Sequence, residues 1–141
     1  MKPIHYSIPE LDELLVRCGI NPTSQRVEIA RVLFAHGDHV SADELFERVN
    51  VDELYPCGVS KATVYNTLGL FAEKGLVRQV IADPTRIFYD PNTAPHHHIY
   101  DVDSHTLIDV DETDMKIQGM PVLPQGARLE GVDIIIRVSR H

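Results

Sequence analysis

The spacing of apolar residues changes at Gly75, and this change constrains the fold more than any other feature of the 141-residue sequence. Before Gly75, apolar side chains recur every three or four positions, which is typical of amphipathic helices. After it, residues 76–81 and 86–89 are typical of two strands around a turn at Asp83-Pro84-Thr85, which predicts a hairpin. Several short helices followed by a hairpin indicate a winged helix, a variant of the helix-turn-helix fold.

Four helices are predicted before the hairpin, from their capping residues and the spacing that follows. The predicted starts are the capping box Ser7 and Glu10, then Thr23 or Ser24, the capping box Ser41 and Glu44, and Ser60 after the break at Pro56-Cys57-Gly58. Glycines at 19, 37 and 75 are the predicted stops. The residues predicted to face the core are Leu11, Leu14, Leu15, Cys18, Val27, Ala30, Leu33, Phe34, Leu45, Phe46, Val49, Ala62, Val64, Leu68 and Phe71.

The C-terminal third has a different pattern and is separated from the helices by a predicted hinge over residues 90–95. Residues 98–102 and 106–110 predict a second hairpin that turns at 103–105, and residues 133–138 predict a further strand. About 45 residues form a marginal core, so we expect a second copy of the chain to complete it. The fold class is α+β: a winged helix-turn-helix domain over 1–89, the hinge, and an α/β dimerisation domain over 96–141.

The charge is distributed unevenly along the chain. The formal net charge of −8 argues against a nucleic-acid partner, because phosphate binding needs cationic surface. However, four basic and two acidic side chains give residues 54–89 a net charge of +2. The segments on either side, 1–53 and 90–141, are both acidic. The one net basic block therefore contains the fourth helix and the hairpin.

Several classes of protein are excluded by absent patterns. Cys18 and Cys57 form neither a disulfide framework nor a C-x-x-C pair, which indicates the reducing cytoplasm. No apolar run approaches the roughly 18 residues of a membrane span. The chain also lacks a nucleophile elbow, a phosphate loop and an H-E-x-x-H pair, so we do not expect an enzyme.

The fourth helix carries side chains suited to DNA. Hydroxyl, amide and cationic groups with one aromatic ring fit the major groove, where they meet base edges and phosphates. An ordinary solvated helix has the same pattern, but the net basic charge favours DNA. The predicted groove residues are Lys61, Thr63, Tyr65 and Asn66, and the predicted phosphate contacts are Gln25, Arg26, Arg78 and Arg86.

Three consecutive histidines, residues 96–98, indicate a metal site. Side chains alternate along a strand, so His96 and His98 share one face while His97 points to the other. Two imidazoles on one face form half of a site for Fe(II), Mn(II) or Zn(II), and carboxylates complete it. Asp90, Asp109 and His39 are the candidates, and their convergence would tie the two domains together. A solvent-exposed basic loop is the alternative interpretation.

Five segments resemble, in order and spacing, the ferric uptake regulator family of metal-responsive transcription factors. The segments are residues 23–26, 39–45, 60–68, 75–77 and the triple histidine, within a resemblance that covers roughly residues 10–138. Within the family, the chain looks most like the iron response regulators, at residues 96–100, Ser104-His105, Met120-Pro121 and residues 133–137.

The resemblance implies specific site residues. It puts one regulatory Fe, Mn or Zn ion per subunit on His39, Asp90, His96, His98 and Asp109. It puts Ser60, Thr63, Tyr65 and Asn66 on the DNA-reading helix. The iron response regulators add haem as a possible signal, at His96, His97 and His98. Where most members carry a C-x-x-C pair for structural zinc, this chain has Asp101 and Ser104, so we expect no such zinc site.

We therefore expect a homodimeric, iron-linked or haem-linked repressor of iron or oxidative-stress genes, with a double-stranded DNA operator as its partner. A peroxide sensor of the same family is the alternative, since those members resemble this chain at Asp90 and Asp109. In such a sensor, His39 or His96 would be the oxidised ligand. A metal-dependent hydrolase and a haem carrier are the alternatives from other classes.

Overall fold

The computed structural model of the protein describes residues 2–51 and 58–140, and the chain divides into an N-terminal unit, residues 1–93, and a C-terminal unit, residues 94–141. Pro56 and Cys57, part of the predicted break before the fourth helix, lie outside the described residues. The N-terminal unit contains helices α1 (Ile8–Arg17), α2 (Ser24–His36), α3 (Ala42–Val51) and α4 (Lys61–Glu73). Its strands are β1 (Val40–Ser41), β2 (Arg78–Asp83) and β3 (Arg86–Asp90), in the antiparallel order β1-β3-β2.

The predicted helix starts are confirmed by their caps. Ser7 Oγ accepts from the Glu10 amide at 3.3 Å, and Glu10 Oε1 accepts from the Ser7 amide at 3.0 Å, which completes the capping box. Thr23 and Ser60 cap α2 and α4 in the same way, through the amides three residues further on. At the other end of α2, Gly37 closes the helix in the left-handed conformation, at φ +78°.

The core of the N-terminal unit is formed where the four helices meet, and α4 corrects one prediction. Ala62, predicted to face the core, is exposed, whereas Thr67 is buried. Tyr65, predicted to project from the side opposite Val64 and Leu68, is exposed. The buried residues of α4 are Val64, Thr67, Leu68 and Phe71, which follow the i, i+3, i+4, i+7 spacing of a single helical face. Ala62 and Tyr65 lie off that stripe, so Tyr65 is available on the surface.

The sheet of the N-terminal unit differs from the prediction at three places. Strand β2 runs over Arg78–Asp83 and not over the predicted 76–81, so Asp83 belongs to the strand and not to the turn. The strand begins late because the Leu76 amide still donates to the Phe71 carbonyl in the closing turn of α4, at 2.9 Å. Strand β1 is unpredicted, since two residues are too few to give a period. The third difference is Asp90, placed in the hinge by prediction, which ends β3 and is buried.

The C-terminal unit is a three-stranded sheet. Strands β4 (His97–Asp101), β5 (Thr106–Val110) and β6 (Ile135–Val138) are arranged in the order β5-β4-β6, with β5 antiparallel and β6 parallel to β4. The predicted hairpin is confirmed to within one residue, and the last strand starts two residues later than predicted.

The predicted α/β character of this unit is wrong for its described part, residues 94–140. That part contains no α-helix, only a 3-10 turn at Glu112–Asp114. Residues 111–134 include Pro121 and Pro124 with three glycines, and both residue types oppose helix formation. The class of the whole chain remains α+β. No helix among the described residues is both long and apolar enough to span a membrane.

Candidate functional site

The sheet of the C-terminal unit presents histidine and aspartate together on one face. His98 of β4 and Asp109 of β5 are direct cross-strand partners, so their side chains leave the sheet on the same side. Ile99, Ile108 and Ile136 are also in register with one another, one position further along, and therefore lie on the opposite face. Alternation thus puts the His98 and Asp109 pair on one face of the sheet. The other face, which we call the apolar face, exposes isoleucines, while His97 and Asp101 on that side are buried.

The imidazoles of His96 and His98 both approach the Asp109 carboxylate. His98 Nε2 lies 3.3 Å and His96 Nε2 3.5 Å from Asp109 Oδ1, and the two rings are in edge contact with centroids 4.5 Å apart. The potential ligand atoms of these three residues all lie within 4.8 Å of one another. Both histidines are buried, so the alternative of a solvent-exposed basic loop is wrong.

The His96 ring is held in the tautomer that metal binding requires. Its Nδ1 lies 2.7 Å from the Ala94 carbonyl oxygen. Because a carbonyl oxygen can only accept, Nδ1 carries the proton, and the neutral ring keeps its lone pair on Nε2, the atom nearest Asp109. Metal-binding histidines commonly donate their second nitrogen to a backbone carbonyl in this way. A lone pair facing a carboxylate oxygen is stabilised by a cation between them.

This donor set fits the metals that the sequence predicts. Two imidazole nitrogens and one carboxylate oxygen suit Fe(II), Mn(II) and Zn(II), which accept mixed nitrogen and oxygen ligands. His97 points to the other side of β4, as predicted, and its Nδ1 accepts a hydrogen bond from the Ile134 amide at 3.2 Å. His97 therefore fastens β4 to the residue that precedes β6.

The N-terminal unit holds the two remaining predicted ligands, His39 just before β1 and Asp90 at the end of β3. They flank the paired residues Val40 of β1 and Tyr89 of β3. The His39 ring packs edge-on against Phe88, and its Nε2 lies 3.2 Å from Asp38 Oδ1. Asp90 is 2% exposed, and its Oδ1 accepts from the Asn92 amide at 2.9 Å.

The residues that replace the C-x-x-C pair do not fit a structural zinc. Asp101 Oδ2 accepts from Arg140 Nε at 2.6 Å, and Asp101 Oδ1 accepts from the backbone amides of Asp103 and Ser104. The Arg140 guanidinium, helped by these amides, lowers the pKa of Asp101 to about 2. The one thiol among the described residues is that of Cys18, which belongs to the N-terminal unit. The turn after β4 therefore offers zinc no thiolate.

A polar cleft of about 460 Å³ brings four of the predicted DNA-contacting residues together. It lies between the N-terminal ends of α2 and α4, where amide and hydroxyl groups from two helices meet. Arg26 also anchors the loop before α2, since its Nη1 donates to the Asn21 carbonyl at 2.9 Å. The lining residues are Thr23, Ser24, Gln25, Arg26, Thr63, Asn66 and Thr67.

The other predicted residues of α4 lie outside this cleft, in contact with an acidic residue that the sequence did not reveal. Tyr65 Oη donates to Asp43 Oδ1 at 3.1 Å, and Lys61 Nζ lies 3.1 Å from the same oxygen. The lysine lowers the pKa of Asp43, and Asp43 raises that of Lys61. Partial burial, followed by the Asp43 hydrogen bond, raises the pKa of Tyr65. An acidic residue in a first helical turn predicts only dipole stabilisation, so nothing in the sequence indicated this contact.

The remaining predicted DNA contacts lie at the start of α4 and on the hairpin. Ser60 Oγ accepts from the Thr63 amide at 3.1 Å and lies 2.8 Å from Thr63 Oγ1. Arg78 begins β2 and Arg86 begins β3, and both are partly exposed.

Comparison with known proteins identifies relatives over most of the chain. The model of the ferric uptake regulator family matches residues 17–136. The peroxide-responsive repressor PerR of Staphylococcus aureus (strain Mu50 / ATCC 700699) is 32% identical over 99 residues, which are 70% of this chain and 65% of that protein. The match therefore spans just under two thirds of the length of that relative.

Solved structures share the fold. The ferric uptake regulator of Vibrio cholerae aligns with a TM-score of 0.70 at 19% identity, over 92% of this chain and 98% of that one. A zinc-bound manganese uptake regulator aligns with a TM-score of 0.62 at 27% identity, over 93% of this chain and 98% of that one.

Proposed function

The chain belongs to the ferric uptake regulator family, and from this premise we propose that it is a metal-responsive, DNA-binding transcriptional repressor that works as a homodimer in the cytoplasm. The observation that carries the proposal is the orientation of the His96 ring. Its Nδ1 faces the Ala94 carbonyl oxygen and its Nε2 faces Asp109, so the neutral ring would offer the Nε2 lone pair to a cation there. This arrangement supports a cation site on the sheet of a regulator.

The regulatory metal would be held first by His96, His98 and Asp109. We propose that His39 and Asp90 supply the remaining donors, as the family resemblance implies. A divalent Fe, Mn or Zn ion bound to all five residues would link the two units of the chain and restrict their relative orientation. The orientation of two recognition helices in a dimer decides how well they match half-sites about 34–36 Å apart. Metal binding and operator binding are then coupled, and each strengthens the other.

The DNA-binding surface would consist of α4 and the polar cleft beside it. The exposed side chains of Lys61, Tyr65 and Asn66 favour contacts with base edges and phosphates in the major groove. Gln25 and Arg26, at the N-terminal end of α2, suit the phosphate backbone, since helix N-termini attract anions. We assign Ser60 and Thr63 to the same surface.

The dimer would form through the apolar face of the C-terminal sheet. Ile108 is 45% and Ile136 is 41% exposed in the single chain, and both are in register with Ile99 between them. Further exposed apolar side chains follow on the segment between β5 and β6, including Val122 at 99%. A second copy of the chain is the partner that we propose for this face, because a small sheet cannot cover it alone.

A double substitution tests the metal site. We expect His96→Ala with His98→Ala to abolish stoichiometric Mn²⁺ binding, because it removes both imidazoles from the Asp109 carboxylate. Atomic absorption on the dialysed protein measures the metal, and circular dichroism checks the fold. His105→Ala, in the hairpin turn, is the matched histidine control. Unchanged metal stoichiometry in the double variant would contradict the site.

A gel shift with a duplex selected by the protein from a random library distinguishes the classes of function. We expect retardation that depends on added Mn²⁺ and that the double variant loses. The hydrolase and haem-carrier alternatives predict no such retardation. The same assay, repeated with an equimolar amount of haem, tests whether haem releases the DNA.

Peroxide sensing is the second candidate, favoured by the 32% identity to the Staphylococcus aureus peroxide-responsive repressor. We propose that peroxide oxidises a ligand imidazole, His39 or His96, when iron is bound, and that the modified ring no longer holds the metal. Peptide mass spectrometry after peroxide treatment should find one added oxygen on either histidine with iron and none with manganese. Oxidation spread equally over all histidines would contradict a sensing role.

The resemblance to iron response regulators and the haem site at residues 96–98 stay predictions. The burial of these histidines does not favour haem, because a macrocycle needs an accessible imidazole. His97 is in addition engaged with the Ile134 amide.

A further inference from the structure

We propose that Asp43 is a specificity-determining residue of the DNA-binding surface, which orients the Tyr65 hydroxyl toward bases and restrains Lys61 from non-specific phosphate contacts. This inference rests on the proposed function, since it concerns how the α4 surface reads DNA. Asp43 lies in the first turn of α3, eighteen positions before Lys61 and twenty-two before Tyr65. It connects α3 directly to the side chains of the recognition surface.

The Asp43 carboxylate is placed to hold both side chains at once. The same oxygen, Oδ1, accepts from Tyr65 Oη and lies in ion-pair distance of Lys61 Nζ, each at 3.1 Å. Lys61 and Tyr65 are four positions apart on α4 and therefore lie on one helical face. The Lys61 ammonium is also 5.9 Å from the centre of the Phe46 ring, a second contact that fixes its position.

The direction of the Tyr65 hydrogen bond determines what the hydroxyl offers to DNA. A phenol has one proton to donate and can also accept. While that proton is donated to Asp43, the hydroxyl oxygen can only accept from a base. In the major groove, the donors are the exocyclic amines of adenine and cytosine, whereas guanine and the thymine carbonyl offer acceptors. Asp43 therefore sets Tyr65 to prefer an adenine or a cytosine amine.

The charge of Asp43 has a separate effect on affinity. Lys61 would otherwise be a free cation on the DNA surface, and a free cation binds phosphate regardless of sequence. The ion pair with Asp43 compensates this charge in the unbound protein. The carboxylate therefore weakens non-specific binding while leaving the base contacts of Tyr65 in place. Both effects increase the ratio of specific to non-specific affinity.

Two substitutions separate the two effects. Asp43→Asn removes the charge but keeps a side-chain carbonyl oxygen. Tyr65 Oη and Lys61 Nζ are both donors and therefore favour that oxygen as their acceptor, so the Tyr65 hydroxyl keeps donating to position 43. Asp43→Ala removes the acceptor as well as the charge. The matched control is Glu44→Gln, which removes an equal charge from the same turn of α3; Glu44 lines a groove together with Arg31, His36 and Arg48 and not with Tyr65.

The experiment selects duplexes from a random library with the full-length protein and Mn²⁺, and compares sequence preference among variants. The position that loses its preference in Tyr65→Phe identifies the base that Tyr65 contacts. We expect adenine or cytosine there for the unchanged protein, a preference retained by Asp43→Asn and reduced about threefold or more by Asp43→Ala. Against a random duplex, both Asp43 variants should bind about threefold tighter, with a salt slope steeper by about one.

A readout without DNA tests the Tyr65 contact itself. Carbon-13 labelling of tyrosine rings allows Tyr65 to be titrated by NMR, with Tyr65→Phe to assign its signal. The pKa of Tyr65 should fall in Asp43→Ala relative to the unchanged protein, and Glu44→Gln should leave it as it was.

The outcomes distinguish this inference from the proposed function. If the unchanged protein selects no sequence, the proposed function fails, and this inference fails with it. If it selects a sequence but Asp43→Ala behaves like Glu44→Gln in base preference and random-duplex affinity, only the inference on Asp43 is overturned. A Tyr65→Phe variant with unaltered base preference also overturns it.

Discussion

Asp101 connects two parts of the C-terminal unit that are far apart in sequence. It ends β4, and its partner Arg140 follows β6, thirty-nine positions later. The Arg140 backbone amide also donates to Asp103 Oδ2 at 2.6 Å. The backbone and the side chain of Arg140 are therefore both bound to the segment Asp101 to Asp103 at the end of β4. Here an ion pair with hydrogen bonds closes the sheet.

The pH dependence of this contact can be predicted from the pKa of Asp101. Its folded value of about 2 lies below the ordinary 3.8, so the unfolded chain binds the proton more tightly. The contact therefore stabilises the fold above about pH 4, and this contribution is lost as the pH falls toward 2. We expect Arg140→Gln to lower the thermal midpoint by a few degrees at pH 6 and by about half as much at pH 3. Circular dichroism of the metal-free protein measures both midpoints.

The control for this experiment is Arg128→Gln, which removes the same charge from the segment between β5 and β6. Its effect on the midpoint should be small at both pH values. An Arg140→Gln effect of equal size at pH 6 and pH 3 would show that Asp101 does not carry the stabilisation.

At the scale of elements, local signals predicted most of the helices and strands. The starts of α1, α2 and α4 followed from side chains that accept from amides three residues away, a contact within one turn. β1 could not be predicted because its two residues form a strand through pairing with Tyr89 and Phe88, which lie far away in sequence. The same applies to the end of β3 at Asp90. Where pairing with a distant segment determines structure, the local pattern carries no signal.

The C-terminal end of α2 provides an element-scale prediction. Gly37 has φ +78°, and a Cβ added there would lie 2.6 Å from the Pro3 nitrogen. Gly75 has nearly the same φ, +79°, but no atom within 4 Å of such a Cβ. Gly75→Ala should therefore cost only backbone strain, about 1 kcal/mol of unfolding free energy. Gly37→Ala should cost about twice as much or more, because Pro3 must also move.

Urea unfolding of both alanine variants gives the two free energies under one condition. The difference between them measures the clash with Pro3, since the strain at the two glycines is the same. Equal losses in the two variants would mean that the segment before α1 yields without cost.

At the scale of the whole molecule, the parts of the candidate site differ in how far the sequence revealed them. Alternation along a strand predicted that His96 and His98 face one side, and Asp109 followed from the hairpin register. Asp43 and Arg140 could not be predicted, because each meets its partner across a long stretch of chain. A sequence pattern identifies neighbours within an element or a hairpin, whereas packing between elements decides the rest.

The apolar face of the C-terminal sheet leads to a prediction about assembly. Ile108→Asp with Ile136→Asp places two charges on the face that we assign to the dimer, and buried unpaired charges are strongly unfavourable. We expect sedimentation at micromolar concentration to change from dimer to monomer. Operator affinity should fall more than tenfold, since a monomer loses the avidity of two linked half-site contacts.

Metal binding should respond differently from assembly, because His96 and His98 face the side of the sheet opposite the isoleucines. His98 and Asp109 are one position out of phase with the isoleucines, so the double variant should keep most of its Mn²⁺ stoichiometry. Ile81→Asp, at a 57% exposed position on β2, is the control and should remain dimeric. A double variant that still sediments as a dimer would exclude the isoleucine face as the interface. Loss of metal together with the dimer would instead indicate that assembly orders the ligands.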